Sequence, residues 1–76
     1  MIAPGTLRIC TQELRVYSAL IANWDTRLVE LNHNDVLIMI CESFNDNVSM
    51  WKVITPKGVG WVYKYLCKRD TTEVTL

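Results

Sequence analysis

Histidine is almost missing from this chain of 76 residues, and His33 stands alone. A nucleophilic cysteine needs a base beside it and a third group to orient that base. Cys41 lies eight residues from His33, and Cys10 falls on a different strand of the reading below. No HxxxH or CxxC spacing exists, so one histidine and three scattered cysteines make a poor zinc set. Acidic side chains such as Glu42 and Asp46 fall in surface loops rather than in a facing pair. Gly58-Val59-Gly60 reads as a turn and not as a phosphate cradle, because no helix N-terminus follows it directly. These absences predict a protein that is not an enzyme and takes no metal or cofactor.

Other shortages bound the setting. The cysteines Cys10, Cys41 and Cys67 are odd in number and far apart, which excludes an even disulfide framework. That usage fits free thiols acting as small hydrophobes in a reduced, cytoplasmic compartment. The longest apolar run, Val36 to Cys41, has the length of a strand and not of a membrane span. Met1-Ile2-Ala3-Pro4-Gly5 has no basic region followed by an apolar stretch, so no signal peptide is expected. Net charge is also lacking, with eight basic and eight acidic residues, and overall neutrality argues against a dedicated nucleic-acid binder.

Apolar material is plentiful: half of the residues are hydrophobic, with three Trp and three Tyr. That excludes a disordered chain. One domain this short buries only about 60% of its unfolded surface, so its core depends on dense packing. Charge is unevenly spread. Residues 47–69 hold Lys52, Lys57, Lys64, Lys68 and Arg69 and no acid. This is either a solvated surface or a basic face able to hold a nucleic-acid strand by phosphate contact and base stacking.

Thr6 to Thr11 alternates, with Leu7 and Ile9 on one face and Arg8 on the other, as a half-buried strand does. Leu14 to Ser18 alternates again. Its apolar residues also fit a helical face with Ile21 and Trp24, but β-branched and aromatic side chains favour a strand. Asn32-His33-Asn34-Asp35 is a turn, with Asn34 suited to a left-handed backbone. In the strand Val36 to Cys41, the reading puts Val36, Ile38 and Ile40 inside. Leu37 and Met39 would then face outward, where they form a homodimer seam or lie under a terminal segment. Pro56-Lys57-Gly58 turns Val48–Thr55 back into Val59–Tyr63. Tyr63 to Leu66 is a short helical turn, Cys67 to Arg69 the last strand, and 70–76 either a frayed tail or an edge strand through Val74 and Leu76.

The stretch Trp51-Lys52-Val53 … Gly58-Val59-Gly60-Trp61-Val62-Tyr63-Lys64-Tyr65-Leu66, together with Leu31-Asn32-His33-Asn34-Asp35-Val36 and Arg15-Val16-Tyr17-Ser18, resembles bacterial-type SH3 domains. A start of the form Pro-Gly-x-Leu is similar to that of small SH3-like proteins encoded by tailed phages. The resemblance implies an all-β, SH3-like barrel of five or six strands covering about residues 5–69. It also implies a ligand groove between two long loops, built here from Tyr17, Trp24, Trp61 and Tyr65. Met50 stands where signalling SH3 domains carry their ligand-stacking Trp, which weighs against proline-motif recognition of that kind. The expected role is a non-catalytic adaptor or modulator that binds an unidentified protein, as a phage accessory or host-interaction protein would. Nucleic-acid binding through the basic hairpin, cell-wall peptide binding and a dimeric structural subunit are the alternatives.

Overall fold

The computed structural model describes residues 5–19 and 27–75, without the side chains of Arg27, Leu28 and Asn45. Over that range the chain is all-β with one short helix. The strands are β1 (Leu7–Cys10), β2 (Leu14–Tyr17), β3 (Arg27–Leu31), β4 (Val36–Asn45), β5 (Val48–Thr55), β6 (Gly58–Tyr63) and β7 (Thr71–Glu73), and helix α1 (Lys64–Asp70) joins β6 to β7. The strands form one antiparallel sheet in the order β3-β2-β6-β5-β4-β1-β7, curled into a small half-barrel. The described residues thus form seven strands rather than five or six.

Local chemistry sets the turns. Asp46 and Asn47 both have positive φ (49° and 67°), the backbone that a tight β4–β5 hairpin needs. Pro56-Lys57 turns β5 into β6, with Gly58 at φ 133°. The Thr55 hydroxyl locks that turn by donating to the Gly58 carbonyl at 2.7 Å and accepting from the Lys57 N–H at 3.1 Å. Asn34 has φ 75°, as its sequence position predicts, and the Asn32 N–H donates to the Asp35 carboxylate at 2.8 Å.

The inner face of the sheet packs Leu14, Val16, Leu31, Leu37, Met39, Trp51, Val53 and Val62 together with Cys10 and Cys67, and Val29 and Leu66 pack against them. Removing this apolar surface from water is the main stabilising term. Trp51 sits at its centre with 1% of its surface exposed.

Two strands have the opposite phase to the one their alternation suggested. In β4, Leu37 and Met39 are buried in the core, so they cannot form a dimer seam, whereas Val36 and Ile38 are exposed and Ile40 is half-buried. A run that is apolar on both faces carries no phase of its own, and pairing with neighbours decides it. Met39 pairs with Val53, whose inward direction is set by β5, and a bulge at Ile40 then turns Cys41 outward opposite Lys52. In β1, Arg8 and Cys10 are buried and Leu7 and Ile9 lie half-buried on the outer side. Burial of the Arg8 guanidinium is offset by donation from Nε to the Thr71 hydroxyl at 2.6 Å and from Nη2 to the Thr71 carbonyl at 3.2 Å.

The C-terminal segment also departs from its sequence pattern. Cys67 to Arg69 is not a strand but part of α1. Cys67 and Asp70, three apart, share the buried side of the helix, and Lys68 and Arg69 sit in its last turn, where cations suit the helix dipole. The last strand is instead Thr71–Glu73, whose threonines suit a pleated edge and pair with β1. The Val74 N–H continues that pairing to the Leu7 carbonyl at 2.9 Å, so the tail is tied down this far, and Leu76 lies outside the described residues.

Candidate binding surface

β2 is paired with β3 along its length but meets β6 at one position, Tyr17 opposite Trp61. The strands can touch there because Gly60 has no side chain. A Cβ on Gly60 would lie 2.5 Å from Val16 Cγ1 and 2.7 Å from the Tyr17 carbonyl oxygen. Alternation along β6 points Val62 into the core and Val59, Trp61 and Tyr63 outward. N-terminal to Tyr17, β2 is not paired with β6, and α1 faces it across a cleft. That cleft encloses about 230 Å³ and is lined by Glu13, Leu14, Arg15, Tyr17, Leu66, Arg69 and Asp70. A wider, open depression formed by Thr11, Gln12, Glu13, Arg69 and Asp70 continues from it.

Three of the four rings expected in a groove can be placed. Tyr17 and Trp61 are adjacent and half-buried. Tyr65, in the first turn of α1, is 70% exposed. Trp24 lies outside the described residues. Tyr63 belongs with the first two. Its ring meets that of Tyr17 edge to face, with centroids 6.0 Å apart and planes at 81°, a favourable arrangement for two rings. The sequence signal for it was present, since Tyr63 follows Trp61 by two and so shares its face. Lys52 Nζ stands 5.9 Å from the Trp61 ring centre, and the Arg69 guanidinium 5.6 Å from that of Tyr65. Arg69 also lines the cleft, as Tyr17 does.

The run of basic residues is not a uniform basic face. Lys57 donates to the Glu30 carbonyl at 2.9 Å and lies 3.8 Å from the Asp35 carboxylate. Lys64 pairs with Glu42 at 3.3 Å. Arg69 makes two parallel bonds to Asp70, at 2.9 and 3.0 Å. Lys52 lies over a ring, and Lys68 is exposed. Acids thus neutralise three of the five cations, and two of them, Asp35 and Glu42, are remote in sequence.

The titratable groups follow their surroundings. Hydrogen bonds from Arg69 hold the Asp70 carboxyl below its ordinary value. Burial pushes the Cys10 thiol up to about 11, with Cys67 nearby adding to the effect, and burial also raises Cys67. For Glu42, desolvation opposes ionisation, yet hydrogen bonds from Ser49 and Lys64 outweigh it and lower the pKa. The buried Trp51 indole N–H also acts on Glu42, its partner across the ladder, without reaching hydrogen-bond geometry. His33 is exposed, and among the described residues no three His, Cys, Asp or Glu side chains gather into a metal-binding group. Likewise no helix among them is long and apolar enough to cross a membrane. No protein-family model matches the chain, and neither a curated protein nor a solved structure shows significant similarity to it.

Proposed function

We propose that this domain is a non-catalytic SH3-like barrel that binds an extended segment of another protein across Tyr17, Trp61, Tyr63 and Tyr65. The observation that carries the reading is the position of Tyr17, Trp61 and Tyr63. They form one surface outside the core, and Tyr17 opens onto the cleft between β2 and α1. Rigid rings of this kind give large contact area at low entropic cost, which is why Tyr and Trp dominate binding hot spots. The connectivity supports the SH3-like assignment. Strands β7-β1-β4-β5-β6 follow one another in the sheet, the β2–β3 hairpin folds against β6, and a helical turn separates β6 from β7. A protein ligand is favoured over nucleic acid because Lys57, Lys64 and Arg69 already hold carboxylates.

The test is selection from a displayed library of unstructured peptides, followed by mapping of the best binder by NMR. Shifts at Tyr17, Trp61 and Tyr65, and a loss of about tenfold or more in affinity for Tyr65→Ala, are expected for a hot-spot ring. Binding that maps elsewhere, or that is unchanged by Tyr65→Ala in a folded domain, refutes the proposal.

A further inference from the structure

The outer side of the sheet carries a second surface, separate from the cleft. One row across four strands is apolar throughout, and a shorter one adjoins it. Leu7 of β1 pairs with Ile38 of β4, Ile38 with Ile54 of β5, and Ile54 with Val59 of β6, while Ile9 pairs with Val36 in the next row. An antiparallel sheet with one face in water normally alternates apolar and polar residues. This one places β-branched aliphatic residues on both faces. Val36, Ile38, Ile54 and Val59 keep between 38% and 50% of their surface exposed. Together they present about 300 Å² of apolar surface, the size of the largest patch on an ordinary monomer.

We propose that this face is the interface of a homodimer, with two sheets stacked across a twofold axis. These two rows contain no charged side chain, with Lys52 at their margin, so the occupant must itself be apolar, and a second copy of the same face meets that condition. Two sheets stacked about 10 Å apart interdigitate rows of this kind. The chain has a net charge of zero, so two copies meet without net repulsion. The area sets the strength. Two copies bury roughly 600 Å² of apolar surface, and with a polar rim in the usual proportion the total comes to about 1,000 Å². That is the lower end of what a specific interface needs. The dimer is therefore in reversible equilibrium with its monomer. The apolar row adjoins Trp61, which follows Val59 by two on the same face of β6, whereas Tyr65 and the cleft take no part in it.

Sedimentation equilibrium and light scattering on the full chain, from micromolar to millimolar concentration, provide the test. The wild type is expected to shift from monomer to dimer across that range. Ile54→Lys, with its fold checked by circular dichroism, is expected to remain monomeric. Should that variant fail to fold, Ile54→Thr keeps a β-favouring residue and is expected to raise the dissociation constant about tenfold or more. A wild type that is monomeric at millimolar concentration overturns the proposal. So does a folded variant that associates as the wild type does.

Discussion

Gly60→Ala tests the close approach of β6 to β2. The added methyl group would sit 2.5 Å from Val16 Cγ1 and 2.7 Å from the Tyr17 carbonyl oxygen. Both distances are far inside van der Waals contact. Val16 is fully buried and Tyr17 is fixed by its pairing with Trp61, so neither can yield freely. Relief requires β2 to move off β6. Overpacking of this kind costs about 1–3 kcal/mol, and in a domain of this size that lowers the Tm by roughly 5–20 °C. Thermal and urea unfolding of Gly60→Ala measure it directly. A second substitution isolates the cause. Val16→Ala is destabilising alone because it leaves a cavity, yet it removes one of the two clashing atoms. The double variant should then be more stable than the sum of the single effects predicts, by about 0.5 kcal/mol or more. Gly60→Ala with an unchanged Tm, or strict additivity in the cycle, would refute the close approach as the reason for glycine here.

Gly58→Val should lower stability by more than about 1 kcal/mol in urea unfolding, because φ of 133° is strained for any side chain, and an unchanged midpoint would place the turn elsewhere. Asp70 has a lowered folded pKa, so its contribution is present above the ordinary carboxylate value near 4 and is lost as pH falls through the folded value. Melting temperatures of wild type and Asp70→Asn should therefore converge at the acid end, and a constant gap would show that the Arg69 pair adds nothing. Cys10 has a raised pKa, so its contribution is full below about pH 9 and is lost as pH rises toward 11. Cys10→Ala should flatten that alkaline decline. In native protein, Cys41 should react with a thiol reagent at once and Cys10 and Cys67 only on unfolding, and rapid labelling of all three would contradict their burial.

What the sequence by itself determined is local. Asn34, Pro56-Lys57 and Gly58 mark turns because their backbone preferences act within a few residues, and the alternation of Leu14 to Tyr17 marks a strand for the same reason. Trp61 and Tyr17 could be picked out as surface rings, and Tyr63 followed from the same alternation. The tertiary structure decided the rest. β4 is apolar on both sides, so only pairing with Val53 and the bulge at Ile40 put Leu37 and Met39 inside and Ile38 outside. Arg8 goes inward because Thr71, 63 residues away, supplies its acceptors. Cys67 to Asp70 is helical because Cys67 and Asp70 share a buried side that local pattern does not reveal. The five clustered cations lose their meaning as a patch for a related reason. Asp35 and Glu42, which neutralise two of them, lie remote in sequence, and a charge count along the chain does not contain the distances that decide Coulomb energy.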